Sequence, residues 1–357
     1  MKIGLVIYGS LDIQTGGYFY DRMLVDHLQK KGDCIDIISV PLGSYLKHII
    51  DNFSLLYRKL LTANYDILLE DELNHPSLFL INHRLKKRVD YPIVSIVHHL
   101  SYSAESNSIK KFLYGILEKK YLTSIDGFVF NSNTNKRVIE SFIGNNINAV
   151  VAYPGKDHIR STVGPKDIAL KAFESEKFQI LFVGNLVRHK GIHTLIKALS
   201  YLNYHNIILN IIGDLSISPS YVKSLRKLVD TLGLRSQVNF LGFLSSHRLH
   251  EYFRRCHVLA LPSIYEGFGI VHLEALGFGL PIVASTGGAA REIIIDGRHG
   301  YLVPPEKPNV IADKLSILIR DRELLHKMSL NALQRFENFP PWSESMSKIR
   351  KFLATYK

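Results

Sequence analysis

Six short apolar runs punctuate the first half of the chain, at 2–8, 35–40, 66–69, 92–97, 126–130 and 148–152. Each is too short for an ordinary helix. Between them apolar residues recur at helical spacing, as from about Tyr18 to Lys31. Strands alternating with amphipathic helices predict a parallel, doubly wound α/β sheet. The pattern restarts at Phe178-Gln-Ile-Leu-Phe-Val-Gly184 and continues through Ile207–Ile212, Val258–Ser263 and the run from Pro281. Residues 154–178 show no clear strand pattern and contain Pro154-Gly155 and Gly164-Pro165, so the interdomain linker is expected there. The expected organisation is one Rossmann-like domain over 1–160, a second over 161–341, and a last helix over 342–357.

Composition fits this plan. A chain of 357 residues can build two α/β cores, and 46% hydrophobic against 21% charged residues is a globular balance. Cys34 and Cys256 stand far apart, with neither a disulfide framework nor a zinc spacing, which fits a reducing, cytoplasmic compartment. The opening residues read as a buried strand, because their apolar run is too short for a signal peptide. The longest uncharged stretch, Ala275 to Ala290, is broken by glycines and Pro281, so no membrane-spanning helix is expected. The formal charge of +12 divides as 19 basic against 16 acidic residues over 1–160 (+3) and 25 against 16 beyond (+9). The excess lies in the half expected to hold an anion. The basic residues are scattered, not striped with aromatics, so nucleic acid is not the expected partner.

The chemistry centres on Glu266-Gly-Phe-Gly-Ile-Val-His-Leu-Glu274. It follows a short buried strand. Gly267, Phe268 and Gly269 make a loop, and a helix opens at Ile270. The first turn of that helix offers free N–H groups and a positive dipole end, a seat for phosphate. Glu266, in the loop, is placed to accept from sugar hydroxyls, and Glu274, further along the helix, from a ribose. Two acceptors flanking an anion seat suit a nucleotide-sugar. An acidic loop followed by an ordinary surface Glu is the plain alternative.

This spacing resembles the E-x7-E motif of the GT4-type retaining glycosyltransferases, which have the GT-B fold. Other stretches extend the resemblance. The loop from Gly9 to Gly17 is not G-x-G-x-x-G, but its Gly16-Gly17 resembles the family's first-loop glycine pair. Pro92-Ile-Val-Ser-Ile-Val-His98-His99 places His98 on the family's His and His99 where an Asp stands. In Gly184-Asn-Leu-Val-Arg-His-Lys-Gly191, Lys190 matches the family Lys and Asn185 replaces its Arg, leaving Arg188 as the candidate second cation. Gly213-Asp214 and Val238 to Phe243 resemble the next loop and the base-holding segment. The resemblance implies two Rossmann-like domains facing a cleft, the acceptor side first and the donor side second, with the last helix crossing back to the first domain. It implies catalytic roles for His98, Lys190, Arg188 and Glu266. Donor contacts are implied at Gly16, Gly17, Gly184, Asn185, Gly213, Phe243, Gly267, Phe268, Gly269, Ile270 and Glu274. No metal and no other cofactor is implied. No D-x-D stands beside a strand end, Asp71-Glu72 does not look placed for one, and no third ligand joins His98 and His99 at a recognised spacing.

The expected activity is metal-independent transfer of a sugar, with retention, from a nucleoside-diphosphate donor to a hydroxyl of a glycan or glycolipid. A non-catalytic GT-B scaffold is the alternative that Asn185 and His99 keep open. A nicotinamide-dependent oxidoreductase would need a glycine fingerprint that is missing. Two stretches bear on location. Residues 109–122 carry apolar side chains at 109, 112, 113, 116 and 117, with Lys110, Lys111, Lys119 and Lys120 around them, and 45–61 is similarly apolar and basic. Ordinary core-facing helices have this pattern. So do elements that lie on an anionic membrane, where apolar and basic surface act together.

Overall fold

The computed structural model describes residues 1–100, 102, 108–159, 163–202, 204 and 206–356. The chain forms two compact units, Met1–Gly155 with Pro340–Lys357, and Lys156–Phe339. In the first unit β1 (Lys2–Tyr8), β2 (Cys34–Val40), β3 (Ile67–Asp71), β4 (Ile93–Val97), β5 (Gly127–Phe130) and β6 (Ala149–Val151) make one parallel sheet in the order β2-β1-β3-β4-β5-β6. Its helices are α1 (Gly16–Lys30), α2 (Tyr45–Ile50), α3 (Leu56–Leu61), α4 (His75–Leu85), α5 (Ser108–Leu122) and α6 (Asn133–Ile143). Every residue of β3, β4 and β5 is buried. A parallel sheet covered on both faces accounts for their largely apolar sequences, broken only by the buried Glu70, Asp71 and Ser95.

The second unit begins with α7 (Pro165–Glu174), inside the stretch read as linker. The helix escapes a strand-based reading, but it has its own signals. Pro165 occupies the first turn, Asp167 accepts from the Gly164 N–H at 2.8 Å, and Ile168 and Ala172 are buried one turn apart. The expected boundary at Arg160 lies outside the described residues. There follow β7 (Phe178–Val183), α8 (Ile192–Leu199), β8 (Ile207–Ile212), α9 (Pro219–Thr231), β9 (Val238–Gly242), α10 (Ser246–Arg255), β10 (Val258–Leu261), α11 (Ile270–Gly277), β11 (Ile282–Ser285), α12 (Ala290–Ile293), β12 (Gly300–Val303), α13 (Pro308–Arg320) and α14 (Arg322–Glu337). This sheet is also parallel, ordered β12-β11-β10-β7-β8-β9.

The last helix, α15 (Trp342–Ala354), belongs to the first unit. Trp342 meets Phe19 and Tyr20 of α1 edge-on, with ring centroids 5.4 and 5.7 Å apart. Arg350 donates to Asp33 at 2.7 Å. The chain therefore returns to its first sheet after completing the second.

Candidate active site

In the second sheet the strand numbers run away from β7 on one side and from β10 on the other, so the switch of direction lies between these two neighbours. Ligands of open α/β sheets bind outside the carboxyl ends of strands at such a point. The loops after β7 and β10 supply the charged groups there. After β7 a short 3-10 turn spans Arg188–Lys190. Lys190 Nζ donates to Glu266 Oε2 at 2.7 Å, and Ser263 Oγ donates to the same oxygen at 3.2 Å. Burial alone would raise the Glu266 carboxyl, but the charge and hydrogen bond of Lys190, together with the nearby His272 and His189, outweigh it and hold the group down at about 2. His272, buried nearby on α11, is pushed down to about 4 by burial and is neutral at pH 7.

Two glycines make this arrangement possible. Gly191 has φ +72, and a Cβ there would lie 2.1 Å from the Pro262 carbonyl oxygen, so the two loops approach backbone to backbone. Gly191→Ala is expected to cost about 1–2 kcal/mol from the left-handed backbone alone, which chemical denaturation would measure. Gly288 has φ +105, and its Cβ would meet the Glu266 carbonyl at 2.1 Å. Here the Glu266 N–H donates to Gly287 and the Glu266 carbonyl accepts from Ala289, at 3.0 and 2.9 Å, so the carboxylate stands on a fixed backbone.

The remaining donor-side candidates of the second unit follow its strands or lie on α11. Gly184 and Asn185 follow β7, Gly213 follows β8, and the exposed Phe243 follows β9, all at the carboxyl edge. Gly267, Phe268 and Gly269 lead into α11, whose first residue is Ile270. Glu274 stands within α11, its Oε1 3.4 Å from His158 Nε2. Arg188 is exposed, and its charge bears on His193 and Tyr221, while that of Lys190 bears on Glu266. The two cations thus act on different neighbours.

The first sheet has its own switch point, between β1 and β3. Gly16 and Gly17 open α1 after β1, and Thr15 caps that helix by accepting from the Tyr18 N–H. His98 follows β4, and a Cβ on Gly17 would come within 3.2 Å of its ring, so the helix start is packed on the imidazole. His98 Nε2 lies 3.0 Å from Asp21 Oδ1. Its carbonyl accepts from Asn131 and Asn135 at 3.2 and 2.7 Å. Burial would lower the His98 pKa, but Asp21, aided by Asp71 and Glu72, outweighs it and raises the group to about 9. Burial in turn raises Asp71 to about 7 and Glu72 well above the usual carboxylate range.

Two sequence expectations change here. Asp71 and Glu72 do stand at a strand end, that of β3. His98 also gains two acidic neighbours, since ligand-type atoms of Asp21, Asp71 and His98 all lie within 4.8 Å of one another, as do those of Glu72, His75 and Glu118. Linear spacing hid both groups because their members come from different elements. Asp21 did leave a trace. It shares the buried face of α1 with Leu24 and Leu28, a carboxylate within an apolar stripe. Ser263 and His158 left none.

Two doubly wound parallel sheets, each gathering its polar groups at the carboxyl edge, define the GT-B class of α/β proteins. Solved structures agree. The sucrose-phosphate synthase of Thermosynechococcus elongatus superposes with a TM-score of 0.82 at 18% identity, covering 99% of this chain and 98% of that one. Anabaena HepE, solved with UDP-glucose, gives 0.78 at 20% identity, covering 99% and 100%. Residues 165–335 match the family of Glycosyl transferases group 1. An uncharacterized glycosyltransferase of Methanocaldococcus jannaschii is 37% identical over 163 residues, which is 45% of this chain and 39% of that protein. A D-inositol 3-phosphate glycosyltransferase of Paenarthrobacter aurescens is 30% identical over 208 residues, or 53% and 50%. The chain spans half or less of the length of these two relatives. The match of residues 165–335 makes the second unit similar to the group 1 glycosyl transferases, and the solved structures give the whole chain the GT-B fold.

Proposed function

We propose that this chain is a GT4-type retaining hexosyltransferase. It would move a sugar from a nucleoside-diphosphate donor to a hydroxyl of a glycan or glycolipid, without a metal, in the cytoplasm or at the cytoplasmic face of a membrane. The observation that carries the reading is the Lys190–Glu266 pair at the switch point of the second sheet, directly before the start of α11. As the anomeric carbon gains positive character, the difficulty lies in the dianionic leaving group, so groups aimed at the phosphates do most of the work. Lys190, the first-turn N–H groups of α11 and Arg188 are assigned that role. Glu266, ionised at any working pH, accepts from the sugar hydroxyls. Gly184, Asn185 and Gly213 allow close approach of the donor, and Phe243 lies beside the base. Gly16 and Gly17 are assigned donor contacts, and the His98 imidazolium a catalytic role.

The test is release of nucleoside diphosphate from a panel of nucleotide-sugars, with UDP-glucose first because HepE was solved with it. Calorimetry with the free nucleoside diphosphates would give the base. Absence of both binding and release across the panel would leave only a non-catalytic scaffold. Glu274→Ala is expected to weaken nucleoside-diphosphate binding by about 1–3 kcal/mol, the range for a charged hydrogen bond. Equal affinity in the variant would remove Glu274 from the ribose.

A further inference from the structure

The first unit carries a surface that its own core does not explain. Nine of the sixteen large apolar side chains that stand exposed among the described residues fall within 42–55 and 109–116. Leu46, Ile50 and Phe53 project from α2 and the turn after it, with Leu46 at 74% and Phe53 at 75% exposure. Phe112, Leu113 and Ile116 project from α5, with Phe112 at 68%. Of the five apolar positions read in residues 109–122, four face outward, which a core-facing helix does not explain. The two stretches adjoin. Tyr45, which opens α2, stacks on Tyr114 of α5 with ring centroids 4.0 Å apart. Exposed apolar surface of this extent on a soluble unit marks a place where something binds.

The charges around it identify the partner. Lys47, Arg58, Lys59, Lys110, Lys119 and Lys120 are all exposed on the same segments. Lys119 and Lys120 continue the apolar stripe of α5 by one further turn, seven positions beyond Phe112 and Leu113. The only carboxylates within 41–60 and 108–122 are Asp51 and Glu118, and neither offsets this charge outwardly. Asp51 is held by His48 and Ser77 at 3.0 and 2.9 Å, and Glu118 is buried, accepting from the Tyr102 N–H at 3.1 Å. A protein partner of mixed charge would find no outward-facing acid on these two segments to pair with its basic residues. A bilayer of anionic phospholipid satisfies both features, since the apolar side chains enter the headgroup boundary while Lys and Arg reach the phosphates along their apolar stems. No described helix is long and apolar enough to cross a membrane.

We infer that α2, the turn after it and α5 form a docking surface for an anionic membrane. The surface is independent of the donor chemistry, so either proposal can fail while the other stands. Sedimentation of the full chain with vesicles made of equal parts phosphatidylcholine and phosphatidylglycerol tests it, against pure phosphatidylcholine. Wild type should pellet with the anionic vesicles, and less as salt rises. Each basic residue near such a surface is worth about fivefold in partition. Replacing Lys47, Lys110, Lys119 and Lys120 with Gln should therefore reduce binding well over tenfold. Leu46→Ser, Phe53→Ser and Phe112→Ser together should reduce it as well, and at high salt too. All seven side chains are exposed, so unchanged melting temperatures are expected. Equal partition onto both vesicle types, or undiminished binding by both variants, would overturn the proposal. Dimerisation in sedimentation velocity that the Ser variant abolishes, with vesicles ignored, would overturn it in favour of a second copy.

Discussion

Lys190→Ala is expected to cut turnover by about 10²-fold or more, the scale for losing one donor aimed at developing charge. The ammonium is the cation that the structure sets against Glu266 at the switch point, with Ser263 on the same oxygen. Removal also has a structural effect, and the two must be separated. Glu266 is 13% exposed and Lys190 21%. Breaking such a pair leaves a carboxylate in poor solvent, at a cost of about 3 kcal/mol, the low end of the range for buried pairs. The pH dependence has a definite sign. Glu266 is depressed from 4.5 to about 2 in the folded chain. Its contribution is therefore present above 4.5 and is lost as pH falls through 2. The stability gap between wild type and Lys190→Ala should accordingly narrow over that acid window. Adding Glu266→Gln to Lys190→Ala should restore most of the neutral-pH stability and none of the turnover. A folded Lys190→Ala with wild-type steady-state rates would remove Lys190 from the chemistry.

Much of this site could be read from sequence because its parts are local. Gly191 follows Lys190 directly, and Glu266, Gly269 and Glu274 share one loop and helix, so spacing alone exposed them. The pairing of Lys190 with Glu266 crosses 76 positions. It needed the neighbour relation of β7 and β10, which no local pattern encodes. The same holds for His98 and Asp21, which come from β4 and α1. The strands were legible because a buried parallel strand is a continuous apolar run, whereas α7 was missed because only two of its positions enter the core. The exposed face of α5 is a different case. A helical stripe of Ile109, Phe112, Leu113 and Ile116 reports amphipathicity, and periodicity cannot tell whether protein or something else covers it.

His98→Gln is expected to remove much of the loss of stability that wild type undergoes as pH rises from 6.5 to 9. The imidazole is buried, yet its folded pKa is raised from 6.5 to about 9. Burial works against this, and the nearby Asp21 carboxylate, with Asp71 and Glu72 behind it, prevails. A raised folded pKa means that the stabilisation is complete below 6.5 and disappears as pH passes through 9. For a shift of this size the contribution is about 3 kcal/mol. Asp71 acts in the same direction but lower, its pKa being raised from 3.8 to about 7. Its loss is therefore nearly complete by neutrality, whereas buried Glu70, raised to about 8, also loses stabilisation in the alkaline window, so the difference between wild type and His98→Gln is what reports on His98. Denaturant midpoints at pH 6.5 and 9 would show a steep fall for wild type and a clearly shallower one, left by Glu70, for His98→Gln. Asp21→Asn, which removes the nearest carboxylate while keeping the side-chain shape, should shrink the fall and move it to lower pH. A wild type equally stable at both values, or a His98→Gln variant that falls as steeply, would mean that the imidazole is neutral. If the fall is found, the carboxyl edge of the first sheet carries a fixed positive charge at neutral pH. Turnover should then decline above pH 9 in step with the loss of that charge.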